Sequence, residues 1–160
     1  MAAVAFVLAS CGTMEPPKAD VPSTKPGRRL EILGTDSTGI TFRNTIVEDD
    51  QANYFRYLYM YNGGGVSAGD IDGDGLADLA FVSYRNGGAL YKNLGGMKFQ
   101  DISASSGFSV DDIWATGVSM ADVNADGRLD IYVCASGPAG WAPATRRNKL
   151  FINLGGGKFN

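Results

Sequence analysis

Histidine is absent from this 160-residue sequence, which removes the commonest general base and the commonest transition-metal ligand together. Glutamate is scarce, present only as Glu15, Glu31 and Glu48, so a catalytic carboxylate pair would have to come from aspartate. Basic residues are few as well: 14 Lys and Arg stand against 17 Asp and Glu, giving a formal charge of −3. Pairs such as Arg28-Arg29 and Arg146-Arg147 do not make the dense footprint that a phosphate backbone requires, and no nucleic-acid partner is expected. No apolar run approaches the roughly 20 residues of a membrane-spanning helix. The length leaves room for one folding unit rather than two separate cores.

Cysteine is nearly absent too, and the two present sit in settings too different to pair. Cys134 lies in Asp130-Ile-Tyr-Val-Cys-Ala, a strand-forming run that predicts a small buried hydrophobe. Cys11 closes Val7-Leu-Ala-Ser-Cys and resembles the lipobox at which bacterial lipoproteins are cut and lipidated. That resemblance implies a signal peptide over 1–10, lipidation at Cys11, and a bacterial cell-surface or outer-membrane location. Secreted or periplasmic is the alternative, and the lipid is the only expected membrane contact. Met1–Ser10 carries no Lys or Arg, as a truncated start would leave it; a buried N-terminal strand is the other use of these apolar residues. Residues 11–29 hold four of the six prolines among polar residues, a composition that cannot offset the entropy of ordering, so a disordered tether is expected. The folded part is expected over 30–160.

What the sequence has in excess is glycine, 22 residues or about twice the usual 7%, placed between short apolar runs. Many tight turns between strands follow. Gly39-Ile-Thr-Phe-Arg-Asn reads as the first strand. In Tyr54-Phe-Arg-Tyr-Leu-Tyr-Met-Tyr61 a period of two would put Phe55, Tyr57, Tyr59 and Tyr61 on one strand face. That face serves either inter-strand packing or the stacking of sugar rings.

Two segments recur. Gly65-Val-Ser-Ala-Gly-Asp-Ile-Asp-Gly-Asp-Gly-Leu-Ala-Asp-Leu returns 52 residues later, and Leu90-Tyr-Lys-Asn-Leu-Gly-Gly-Met-Lys-Phe returns 60 residues later. The second copy therefore carries eight extra residues, around Gly137–Thr145. Predicted strands are 65–68, 79–84, 89–93 and 98–102 in the first copy, and 117–120, 131–135 and 149–153 in the second. The class is all-β: about two four-stranded antiparallel sheets of the blade type, a sandwich being the other arrangement the strand count allows, with repeat 1 at 65–104 and an incomplete repeat 2 at 117–160.

Between the first two strands of each copy lies an acidic loop, Asp70-Ile-Asp-Gly-Asp-Gly-Leu-Ala-Asp78 and Asp122-Val-Asn-Ala-Asp-Gly-Arg-Leu-Asp130. Seven of the fourteen aspartates fall here and would repel one another without compensation. Calcium, a hard cation taking six to eight oxygens in flexible geometry, matches such a loop better than magnesium does. The expected ligands are Asp70, Asp72, Asp74, Asp78 and the carbonyl of Leu76, then Asp122, Asn124, Asp126, Asp130 and the carbonyl of Arg128. Gly75 and Gly127 occupy the sixth position, where the chain must turn sharply. An EF-hand would need Glu at position 12, where Phe81 and Val133 stand.

These loops, with Gly63-Gly-Gly-Val-Ser-Ala-Gly-Asp-Ile-Asp and Asn153-Leu-Gly-Gly-Gly-Lys-Phe, resemble the FG-GAP/VCBS repeat family, seen in integrin α-chain propellers and in bacterial relatives of cartilage acidic protein. The resemblance implies a calcium-bound β-propeller used for adhesion or ligand binding, without a known active site. About two blades cannot close a propeller, so an N-terminal fragment of a longer product is expected. The leading function is a calcium-binding, non-catalytic surface module for a protein or carbohydrate ligand, with contacts from exposed aromatics such as Trp114 or Trp141. The alternatives are part of a secreted calcium-dependent carbohydrate-active enzyme whose active site lies elsewhere, and a periplasmic partner in nutrient uptake.

Overall fold

The first copy folds as a four-stranded antiparallel meander, β1 (Gly65–Gly69), β2 (Asp78–Val82), β3 (Gly88–Asn93) and β4 (Phe99–Asp101), in the order β1-β2-β3-β4. The computed structural model describes residues 31–85 and 87–160. β2 reads as a continuous apolar run because both its faces are covered. Ala80 and Val82 point to one core cluster, and Leu79 and Phe81 to another.

The second copy repeats the plan with β5 (Ala115–Ala121), β6 (Asp130–Ala135), β7 (Lys149–Phe151), β8 (Asn153–Gly155) and β9 (Lys158–Phe159). β7 and β8 stand where the single strand β3 stands in the first copy. They are interrupted at Ile152, whose N–H and carbonyl pair with Asn160 at 2.9 and 3.1 Å. β9 is the counterpart of β4, so the fourth strand of this copy is present over two residues. The extra residues contain a 3-10 turn at Pro143–Arg146.

The main core lies between the sheets, where Ala80, Val82 and Leu90 meet Ile131, Val133 and Phe151. Phe108 and Val110 complete it, delivered by a connector that opens with the one-turn helix α2 (Ser103–Ser106). A third repeated element, not evident from the sequence, appears here. The turn α1 (Thr35–Thr38) ends in left-handed Gly39 and delivers Ile40 and Phe42 to the far side of the first sheet, as α2 ends in left-handed Gly107. A Cβ on Gly39 would stand 2.5 Å from the Phe99 carbonyl oxygen, and one on Gly107 2.5 Å from that of Phe159. Both positions exclude any side chain for the same reason.

Four expectations are corrected. Residues 39–44 form no strand, because the segment lies across the face of the first sheet. The Thr41 and Phe42 N–H groups donate to the hydroxyl of buried Tyr91, at 3.1 and 2.9 Å, instead of to a ladder. The run 54–61 is a turn followed by a 3-10 helix over Leu58–Tyr61, so its aromatics do not share one face. Tyr57 and Met60 join a second core with Ala52, Tyr84 and Trp114, while Phe55 is 94% exposed. Trp114 is accordingly buried rather than offered to a ligand, and Trp141 packs edge-on against it at 5.1 Å between ring centroids. Cys134 is exposed: in β6 Ile131 and Val133 take the inner face, leaving Tyr132 and Cys134 outside.

Cys11, residues 1–10 and the tether at 11–29 lie outside the described residues. Among the described residues no helix is long and apolar enough to cross a membrane.

Tyr91 has no exposed surface and its hydroxyl accepts two backbone N–H groups. Tyr91→Phe should therefore lower the unfolding free energy by about 1–3 kcal/mol, the usual cost of orphaned buried polar groups. Urea titration of the two proteins measures this, and equal midpoints would remove the hydroxyl from the account.

Candidate metal centre

Each acidic loop is wound by its own first carboxylate. Asp70 Oδ1 accepts the N–H of Gly73 at 2.7 Å and of Asp74 at 3.2 Å, and Oδ2 accepts that of Gly75 at 2.8 Å. Asp122 does the same for Asp126 at 3.1 Å and Gly127 at 2.8 Å. The fifth-position carboxylates then accept the N–H of the seventh residue, Asp74 from Leu76 and Asp126 from Arg128, each at 2.9 Å. Both loops enter the left-handed region twice, at Gly73 and Gly75 and at Ala125 and Gly127. The second of these turns follows from the sequence; the first does not, since Ala125 adopts φ 59° without being glycine.

The ninth-position carboxylates are fully buried. Asp78 accepts the N–H of Ile71 at 3.0 Å and of Asn93 at 2.7 Å, and Asp130 accepts those of Val123 at 3.0 Å and Asn153 at 2.7 Å. One oxygen thus holds the loop, and the other holds the strand that follows. Asn93 and Asn153 complete the unit by donating their side-chain amides to Ala77 and Leu129 carbonyls at 2.8 and 2.9 Å, and by accepting the N–H of Gly95 and Gly155. Sequence reasoning did not assign these asparagines a role, although both stand in the recurring Asn-Leu-Gly-Gly.

The surroundings set the carboxylates apart. The Gly75 N–H holds Asp70 below the ordinary aspartate value, and the Arg128 N–H does the same for Asp126. Burial pushes Asp78 up, against its two backbone N–H partners and with repulsion from Asp74 and Asp70 adding to the rise.

Asp70, Asp72 and Asp78 are brought together, with one carboxylate oxygen of each within 4.8 Å of the others. Asp72 Oδ1 is buried with no hydrogen-bond partner. The other Asp72 oxygen meets the Lys92 ammonium, which also reaches Asp74 at 3.0 Å. Leu76 lies in the loop with its N–H committed to Asp74.

The segment from 70 to 133 matches the family model described as FG-GAP-like repeat. This segment is similar to an FG-GAP-like repeat. It runs from the first residue of one acidic loop to the strand beyond the other, and the antiparallel sheets, one of four strands in the first copy and ones of three and two strands in the second, are of the propeller-blade type. A stretch of 78 residues is 40% identical to cartilage acidic protein 1 of Xenopus tropicalis, covering 46% of this chain and 12% of that protein. The chain thus matches only a small part of that relative's length.

Within the matched segment the second loop is arranged differently from the first. Among the described residues, the close gathering of three acids occurs at the first loop and not at Asp122, Asp126 and Asp130. Asn124 donates to Asp126 at 3.0 Å, and the Arg128 guanidinium pairs with Asp126 at 2.6 Å while its Nε reaches the Asn153 carbonyl at 3.1 Å. Each loop therefore holds one basic side chain against its fifth-position carboxylate, drawn from different places: Lys92 on β3 and Arg128 within the loop. A cleft of about 160 Å³ lies between the first loop and the second repeat, bounded by Asp70, Asp72, Arg128 and Gly156.

Asp130→Asn keeps the shape of the buried group but turns one acceptor into a donor facing a donor. In chelator it should cost about 1–3 kcal/mol or more of folding free energy, whereas exposed Asp126→Asn should stay within roughly 0.5 kcal/mol. Urea unfolding of both variants decides this, and equal losses would show that the ninth position has no special structural weight.

Proposed function

We propose that the first acidic loop holds a calcium ion, that the second holds another more weakly, and that the chain serves as a calcium-braced, non-catalytic surface module. The observation that carries this reading is the buried, unpartnered Asp72 Oδ1 beside Asp70 and Asp78. A carboxylate oxygen removed from water without a donor has an unmet demand, and an all-oxygen loop is the donor set a hard cation takes. Asp70, Asp72 and Asp78 would hold the ion, with Asp74 and the Leu76 carbonyl completing the set. Asp122, Asn124, Asp126, Asp130 and the Arg128 carbonyl form the corresponding set in the second loop. One amide in place of a carboxylate, and the lack of the close three-acid gathering found at the first loop, make that site the weaker one.

The bound cation would relieve the repulsion among the carboxylates and fix the turn between the first two strands of each blade. Surface display is supported by the lipobox-like Cys11 and by the similarity of residues 70–133 to an FG-GAP-like repeat. The exposed aromatics Tyr54, Phe55, Tyr59 and Tyr61 offer a protein or saccharide ligand an amphipathic contact surface.

Millimolar calcium should raise the melting temperature and chelator should reverse it, since a ligand of the native state stabilises by mass action. Calorimetry should resolve two sites, with Asp72→Ala removing the tighter one and leaving the other. Lys92→Gln should tighten the first site by roughly tenfold, because it removes a competing unit charge a few ångströms away. Identical melts with calcium and with chelator would contradict the reading.

A further inference from the structure

At the end of the second sheet away from its acidic loop, β5 departs from the plan of β1. Ala115 pairs with Ala135 and Gly117 with Cys134, so Thr116 is an extra residue in the ladder; at the same offset the first copy has Gly64. A bulge of this kind re-aims the side chain it carries, and the Thr116 hydroxyl turns to the Cys134 carbonyl at 3.3 Å. The residue that follows β6 differs as well. The first copy has buried Tyr84 where the second has Ser136, a hydroxyl in place of a whole ring.

Both changes border a cleft of about 280 Å³ lined by Tyr57, Tyr59, Asn62, Gly63, Thr116 and Ser136, none of them charged. Its walls are fixed from behind. Ser136 donates its N–H to the Trp114 carbonyl and shares a hydrogen bond with the Tyr57 hydroxyl, both at 2.9 Å, while the Tyr57 ring stands nearly perpendicular to buried Trp114 at 5.1 Å. Tyr59 in turn stands nearly perpendicular to Tyr57 at 5.7 Å and is 64% exposed. The 3-10 turn over Leu58–Tyr61 that replaces the expected strand is what brings this ring to the cleft. Gly63 follows at φ 83°, where a side chain would be strained.

Hydroxyl and amide groups both donate and accept, as the vicinal hydroxyls of a sugar do, and an aromatic ring receives the apolar face of such a ligand. A charged ligand would leave water for a cleft that offers it no counter-charge. The volume is close to the roughly 300 Å³ lower bound of small-molecule sites, enough for a sugar ring and too little for a peptide segment. We propose that this cleft binds one neutral sugar ring, packed on Tyr59 with its hydroxyls held by Ser136, Thr116 and Asn62. The proposal rests on the reading of the chain as a surface module for a ligand and gives that ligand a class; it does not depend on calcium, whose loops lie at the opposite ends of the strands.

The test titrates the full chain, followed by saturation-transfer NMR, with the methyl glycosides of neutral hexoses, 6-deoxyhexoses, pentoses and N-acetylhexosamines. Glucuronate, glucosamine and a mixture of uncharged tripeptides serve as controls. At least one neutral glycoside should bind, and more tightly than every control. Tyr59→Ala should weaken it by about tenfold and Ser136→Ala by about three- to tenfold, whereas Leu154→Ala, exposed and outside the cleft, should leave it unchanged. An oligosaccharide ending in the same sugar binds as well if the source is a glycan and is excluded if it is a free monosaccharide, and either result keeps the proposal. No binding by any neutral glycoside overturns it, as do controls that bind as tightly, or binding that survives both cleft variants. Melts with calcium and with chelator, run alongside, separate the two readings: calcium stabilisation without sugar binding removes the cleft alone, and sugar binding without calcium stabilisation removes the calcium brace alone.

Discussion

Asp78 and Asp130 are carboxylates with no exposed surface, and each accepts one N–H from the acidic loop and one from the strand that follows. Removing a carboxylate from water is costly, and charge-assisted hydrogen bonds to backbone donors are among the few interactions strong enough to offset it. Because the ninth loop position is also the first residue of β2 or β6, the same group belongs to loop and sheet at once. The conformation of the loop and the pairing of the inner strands therefore cannot be altered separately. Asn93 and Asn153 extend this connection to the third strand, and at Asn153 to the neighbouring acidic loop.

Around these anchors the remaining charges are arranged with less economy. The first loop assembles Asp70, Asp72, Asp74 and Asp78 against one ammonium, and the second sets three carboxylates against one guanidinium and an amide. The side chains of Lys92 and Arg128 satisfy only part of the acceptor capacity, and Asp72 retains an oxygen with nothing to accept from. A divalent cation matches that residual demand, and through Asp78 its binding would be felt directly by the sheet. Under the proposed cation binding, stability of the sheets and occupancy of the loops would be coupled through Asp78.

Much of this was legible in the sequence because repetition doubles every signal. The strands fall within about two residues of the apolar runs bounded by glycine and aspartate, and the acidic loops occupy the expected places. What failed was whatever depended on neighbours. The alternation in 39–44 is real, yet its donors go to the Tyr91 hydroxyl, a partner some fifty residues away in sequence. The tyrosine-rich run has a strand-like period, but a hydrogen-bonded turn at Asn53 and a 3-10 helix take its backbone. Cys134 resembles its buried counterpart Val82 in every local respect, and differs only because Val82 has a sheet packed against it. The paired turns before Gly39 and Gly107 share too few side chains to be matched by eye; their common role is set by the carbonyl each glycine touches. Asn93 and Asn153 were visible as repeated letters, but nothing local assigns an amide to a carbonyl of an acidic loop.

The most direct test of the central claim is an anomalous-scattering map from crystals of this protein grown with calcium. The account predicts a peak at the first loop, with oxygens of Asp70, Asp72 and Asp78 at about 2.3–2.6 Å from it. Asp78 should still accept the N–H groups of Ile71 and Asn93. A map without a peak there, with the Asp70 and Asp72 carboxylates turned out to solvent, would contradict it.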